Sequence, residues 1–225
     1  MKKKLYGGLL IALLFTATVQ AQDTLLPFWK EIKVFKQQDS TQFPASNQIL
    51  LIGSSSFTFW KDVQSYFPSY PILNRSFGGS TLVDLIRYRY DVIYPYQPKQ
   101  ILIYCGENDF ASSDTVTVDM VVQRFQTLYK LIRAKYKIVP LVYVSMKPSP
   151  SRLHLLSKYI EGNKRIKNWL ATKPKTAFVN VYDAMLTKEG NPMPDIFKED
   201  NLHMNAKGYA IWKKIMQPYL MKYNF

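Results

Sequence analysis

Cysteine is nearly absent. The single Cys105 in 225 residues leaves no partner for an internal disulfide and excludes any zinc site built on several thiolates. Histidine is almost as scarce, with only His154 and His203, so any imidazole base must be one of these two. Glycine (9) and proline (13) are too few for a collagen-like or low-complexity chain, and 47% hydrophobic against 20% charged residues argues against disorder. Acidic residues (16) are outnumbered by basic ones (30), giving a formal charge of +14. No nucleic-acid recognition motif accompanies that charge, and the cluster Lys158, Lys164, Arg165, Lys167, Lys173 and Lys175 has the spacing of a solvated helix face. No nucleic-acid partner is expected.

Long hydrophobic runs are missing too, apart from the first. Residues 1–21 combine Lys2, Lys3 and Lys4, an apolar stretch from Leu5 to Val19, and Val19-Gln20-Ala21 at a cleavage position. That is the pattern of a secretory signal peptide, and the stretch is short for a membrane span, which needs about 20 residues. Cleavage after Ala21 is expected to leave residues 22–225 as one domain, exported to the periplasm or beyond and without stable membrane insertion. Losing the three lysines takes the charge from +14 to +11.

Across the remaining chain, short apolar runs alternate with amphipathic stretches. Gln48–Gly53, Tyr70–Leu73, Gln100–Cys105, Lys137–Val144 and Thr176–Val181 read as buried strands. Thr81–Tyr90, Val118–Tyr136, Ser151–Ala171 and Ala206–Tyr223 carry apolar residues at helical spacing, as in Val121, Phe125, Leu128 and Ile132; Leu25–Gln38 reads as an N-terminal helix. Five strand–helix alternations predict an α/β fold, a three-layer α/β/α sandwich around a five-stranded parallel sheet. Ligands in such sheets sit beyond the carboxyl ends of the strands, so the strand-to-helix loops are where chemistry belongs.

Four polar clusters fall in those places: Gly53-Ser54-Ser55-Ser56, Asn74-Arg75-Ser76-Phe77-Gly78-Gly79-Ser80, Gly106-Glu107-Asn108-Asp109 and Asp200-Asn201-Leu202-His203. Together they supply a hydroxyl, backbone N–H groups open to close approach, a neutral amide donor, and an imidazole with a carboxylate, which are the parts that acyl transfer to serine requires. Asp200 stands three residues before His203, close enough in a turn to reach Nδ1 and leave the other ring nitrogen as base. His154 has no such neighbour. The lesser alternative is that Asp200 only caps the last helix.

In order and separation the four clusters resemble the SGNH hydrolases, also called the GDSL esterase and lipase family, over roughly Ile49 to Tyr219. The resemblance implies Ser55 as nucleophile, with Asp200 and His203 completing a triad. It also implies an oxyanion hole from the backbone N–H of Ser55 and of Gly79 and the side-chain amide of Asn108. It implies a flavodoxin-like five-stranded sheet and no metal or organic cofactor. Ser54 stands where many members carry aspartate, and Ser54 and Ser56 are rival nucleophiles. An α/β-hydrolase would require glycine where Phe57 stands. A phosphate-binding loop at Gly53–Ser56 would leave Asn108, Asp200 and His203 without a purpose, and an inactive binding protein on the same fold is the remaining rival.

The expected activity is hydrolysis of short-chain carboxylic esters, with O-acetyl groups on carbohydrate as the favoured substrate and a lysophospholipase or lipase as the alternative. Short gaps between elements leave no room for a lid. The loop Ser145-Met146-Lys147-Pro148-Ser149-Pro150-Ser151-Arg152 is expected to border the site, with Lys147 or Arg152 facing an acidic group of the alcohol. Phe57, Phe59 and Phe110 are candidate pocket walls, and Cys105 a core residue.

Overall fold

In the computed structural model, which describes residues 26–221, the five apolar runs form one sheet with every neighbouring pair parallel. The expected leader, residues 1–21, lies outside the described residues. The strands are β1 (Ile49–Gly53), β2 (Ile72–Asn74), β3 (Gln100–Tyr104), β4 (Leu141–Val144) and β5 (Thr176–Val179), in the order β2-β1-β3-β4-β5. α1 (Trp29–Thr41) precedes them, α2 (Ser55–Thr58), α3 (Val63–Tyr66), α4 (Leu82–Arg87), α5 (Arg89–Val92), α6 (Glu107–Ala111), α7 (Val118–Lys135) and α8 (Leu156–Ala171) run between them, and α9 (Ala206–Met216) follows.

Strand side chains alternate between two apolar layers, as the two-residue period demands. Leu50, Ile52, Ile101 and Ile103 pack against Ile32 of α1, Leu85 of α4, Phe125 of α7 and Ile166 of α8. Ile49, Leu51, Leu102 and Tyr104 face the other way, onto Phe57, Val63 and the α9 residues Tyr209, Trp212 and Met216. Every residue of β1 and β3 is buried, at about 1.5–3 kcal/mol per large apolar side chain, which is why these two runs are almost unbroken in the sequence. The sheet is the expected α/β/α sandwich.

The differences from the sequence reading have local causes. The fourth strand starts at Leu141 rather than Lys137, because Pro140 has no N–H for the ladder and Arg133 Nη1 draws in the carbonyls of Tyr136 and Val139. Ile138, counted there as strand, is 77% exposed. Likewise β2 begins at Ile72, after Tyr70 closes a turn by donating its N–H to Phe67 O. The stretch 81–90 breaks at Tyr88 into α4 and α5, and the last helix ends at Met216, before a short 3₁₀ turn that contains Pro218. Residues 222–225 lie outside the described residues. The short helices α2, α3 and α6 escape periodicity altogether, since four or five residues carry no period.

β1 lies between β2 and β3, so the connection leaving β1 and that leaving β3 diverge and open a crevice at the carboxyl edge between them. Gly53 closes β1 at φ 142°, and a Cβ there would stand 1.9 Å from the Tyr104 carbonyl oxygen of the adjacent strand. Neither partner is a flexible side chain. Gly53→Ala is therefore expected to cost about 2–5 kcal/mol, from left-handed strain plus backbone overlap, measured by denaturant melts against wild type.

Candidate active site

The tight exit from β1 turns the chain directly into α2, whose first residue is Ser55. Of the three adjacent serines, Ser55 alone meets an imidazole: its Oγ lies 3.0 Å from His203 Nε2. Ser54 Oγ instead accepts the amide of Asn108 at 2.6 Å, and Ser56 is buried beneath Tyr209, which donates to the Ser56 carbonyl.

His203 is held by a turn that Asp200 organises with both carboxylate oxygens. Oδ1 accepts the backbone N–H of Leu202 and of His203, each at 2.9 Å, while Oδ2 meets His203 Nδ1 at 2.6 Å. Asn201 takes the left-handed conformation this turn requires (φ 54°), one that asparagine tolerates. Asp200 does not cap the last helix; Asn205 does, accepting the N–H of Lys207 and Gly208. Partial burial raises the Asp200 pKa, yet the hydrogen bonds from the His203 N–H and ring and the Leu202 N–H outweigh it and bring the group down to about 2. His154 lies exposed in the 3₁₀ segment Pro150–Leu155 and makes no side-chain hydrogen bond or ion pair with the described residues.

Gly78 and Gly79 lie in the loop after β2, and Gly78 approaches Ser55. A Cβ on Gly78 would lie 3.8 Å from Ser55 Cβ, and Gly79 has φ 83°, where a side chain is disfavoured. The backbone N–H groups of Ser55 and Gly79 have no acceptor among the described residues. Asn108, in the first turn of α6, donates Nδ2–H to Ser54 Oγ (2.6 Å) and to Ser80 O (3.1 Å). The geometry thus assembles Ser55, Gly79, Asn108, Asp200 and His203 around the crevice.

Asp109, beside Asn108, is fully buried and takes the Leu82 N–H on one oxygen and Arg124 on the other, pinning α6 to α4 and α7. Burial raises its pKa despite those two donors. Cys105 is buried in the core, and burial raises its thiol far from the reactive thiolate form.

Two expectations are corrected. Lys147 does not face a substrate: it is 1% exposed, 3.2 Å from Glu107 Oε2, and its backbone N–H also donates to Glu107. Burial lowers the Lys147 pKa and the Glu107 carboxylate opposes the change. Arg152 is likewise committed, to Asn108 Oδ1 at 2.8 Å and to Glu107 at 3.7 Å. This buried network, completed by the Tyr104 hydroxyl on Glu107, was missed from sequence. Its one visible trace is a lysine and an arginine flanking two prolines at the end of a buried strand. Phe57 and Phe110 belong to the core; only Phe59, 43% exposed, reaches the site, meeting the His203 ring edge-on at 4.7 Å. Among the described residues no three His, Cys, Asp or Glu side chains cluster as metal ligands.

Comparison with known proteins adds to this geometry. No functionally curated protein matches the sequence. Among solved structures, a Bacteroides fragilis protein assigned as an acylhydrolase shares 23% identity and superposes with a TM-score of 0.73, over 85% of this chain and 96% of its own. A GDSL-like lipase from Bacteroides thetaiotaomicron shares 22% identity and a TM-score of 0.71, over 84% and 96%. The acetylxylan esterase Axe2 from Geobacillus stearothermophilus, solved as a catalytic mutant, shares 14% and 0.62, over 78% and 94%. These likenesses establish the fold, and the sequence pattern of one family spans residues 53–211, from the end of β1 into α9. The chain belongs to the GDSL-like lipase/acylhydrolase family.

Proposed function

We propose that the protein is a serine esterase in which Ser55 attacks the ester carbonyl, His203 takes and returns the proton, and Asp200 orients and stabilises the imidazolium. The observation that carries this reading is the continuous chain from Asp200 Oδ2 through the His203 ring to Ser55 Oγ, at 2.6 and 3.0 Å. The unpartnered N–H groups of Ser55 and Gly79, with the Asn108 amide, would receive the negative charge on the carbonyl oxygen. Collapse of the tetrahedral intermediate expels the alcohol, protonated by His203. Water activated by the same histidine then frees the acid and restores Ser55.

The substrate we propose is a short acyl ester, acetyl above all, on a carbohydrate. Asp200 and Phe59, both in contact with the His203 ring, stand about half exposed, which supports a site open to solvent there rather than roofed for a long chain. A hollow of about 360 Å3 between α1 and the segment after α2 is lined by Phe35, Glu31, Gln38, Lys61 and Asn74, and lies beside the Ser55–His203 pair without including either residue. Thr58 of α2, three residues after Ser55, lines it too, and its hydrogen-bonding groups suit a hydroxylated alcohol. The acetylxylan esterase among the fold's relatives is consistent with that chemistry. We propose also that residues 1–21 are removed on export and that residues 22–225 act as one domain; no helix among the described residues is long and apolar enough to cross a membrane.

Acetate release from acetylated xylo-oligosaccharides by the purified mature protein tests the substrate. On esters of one chromogenic alcohol, kcat/KM is expected to fall from acetyl through butyryl to decanoyl. A decanoyl ester preferred by about tenfold, or ~1.4 kcal/mol of transition-state binding, would replace this reading with a lipase.

A further inference from the structure

We propose that Arg152 is the positioning residue that fixes which end of the Asn108 amide faces the reacting carbonyl; this rests on the oxyanion role proposed above. A carboxamide has a donor end and an acceptor end of nearly the same shape, and only the donor end can stabilise an oxyanion. An ionised aspartate at position 54 would accept only, and so would select the NH2 end. Ser54 makes no such selection, because a hydroxyl donates or accepts equally well, and its 2.6 Å contact with Asn108 is compatible with either orientation. Arg152 does select: a guanidinium only donates, and its Nη2 lies 2.8 Å from Asn108 Oδ1. The Ser80 carbonyl, which only accepts, takes an Nδ2 proton at 3.1 Å and acts in the same sense from the other side.

Arg152 is itself held in place. Its side chain is 16% exposed, and Nη1 lies 3.7 Å from Glu107 Oε2. Glu107 is fixed in turn by Lys147 Nζ, the Lys147 N–H and the Tyr104 hydroxyl. The preceding residue, Ser151, donates its N–H to Asn201 O at 3.1 Å, so the loop after β4 grips the Asp200–His203 turn as well as Asn108. Both Nδ2 protons of Asn108 are engaged in the free enzyme, so a forming oxyanion must take one over. The Arg152 guanidinium held against Oδ1 keeps the amide facing the right way while it does.

Steady-state kinetics on an acetyl ester of a chromogenic alcohol test this with Arg152→Ala, Arg152→Lys, Asn108→Ala and the double variant Arg152→Ala/Asn108→Ala. Arg152→Ala is expected to lower kcat by about 10–100-fold with KM within about twofold. Arg152→Lys, also a pure donor, is expected to regain part of the loss. In the Asn108→Ala background, which alone costs about 10²–10³ in kcat, removing Arg152 should cost less than about twofold more. An equal loss in both backgrounds, or a change confined to KM, overturns the proposal in favour of a structural or substrate-binding role. Should Arg152→Ala fail to fold, Arg152→Met, which keeps the apolar stem, carries the same comparison. Ser55→Ala separates the two levels: if it hydrolyses the ester like wild type, the esterase reading fails and this inference falls with it. If it is inactive, the Arg152 results bear on the positioning role alone.

Discussion

Ser55→Ala is expected to lower kcat for ester hydrolysis by about 10³–10⁶, His203→Ala by a similar factor, and the double variant by no more than either alone. In the proposed mechanism the hydroxyl and the imidazole act as one unit: without the base, Ser55 is a weak nucleophile, and without the nucleophile the base has nothing to activate. Their 3.0 Å contact is the only one that any of the three adjacent serines makes with a histidine among the described residues. Both side chains sit at the crevice rather than in a core layer, so the folded state should survive, and thermal melts of the variants beside wild type would check it. Additive losses in the double variant would show that the two groups work in separate steps.

Asp200→Asn is expected to cost about 10²–10⁴ in kcat, the second-largest effect. The amide can still accept with its oxygen, but it can serve either the Leu202 and His203 N–H groups or the ring with that oxygen, not both. An NH2 turned toward Nδ1 favours the tautomer with its proton on Nε2, where it blocks the base. At 48% exposure water substitutes for part of the carboxylate's work, which keeps the loss below that of His203→Ala. The pH dependence follows with a definite sign. With its pKa lowered to about 2, Asp200 remains a carboxylate throughout any workable assay range. Loss of activity on acidification therefore does not come from Asp200: the proposed mechanism needs an unprotonated general base, so activity is expected on the alkaline side and lost as pH falls. A kcat/KM profile showing a second ionisation assignable to Asp200 in that range would contradict the arrangement.

The sheet was legible in the sequence because its central strands are buried on both faces, and an unbroken apolar run as short as Ile49–Ile52 suits a strand sealed between two helical layers far better than a helix with one wet face. The four loop clusters were legible because turns and reacting groups need particular residues: glycine at Gly53 and Gly79, and an acid three residues before His203. What stayed hidden depends on contacts between distant segments. Nothing near Lys147 says that it will be buried against Glu107, 40 residues away, and nothing near Arg152 points to Asn108, 44 residues away. Strand ends were misread where prolines and side-chain caps such as Arg133 decided the boundary. For Ser54, the sequence showed that the usual aspartate was missing; only the fold shows its hydroxyl meeting the Asn108 amide.

The central claim is that Ser55, and neither neighbour, is the nucleophile. Labelling the purified protein with a fluorophosphonate and locating the adduct by fragmentation mass spectrometry tests it most directly, because the three serines share one peptide but yield different fragment ions. The account predicts a single adduct on Ser55, abolished by Ser55→Ala and strongly slowed by His203→Ala. An adduct on Ser54 or Ser56, or undiminished ester hydrolysis with no serine labelled, would contradict it.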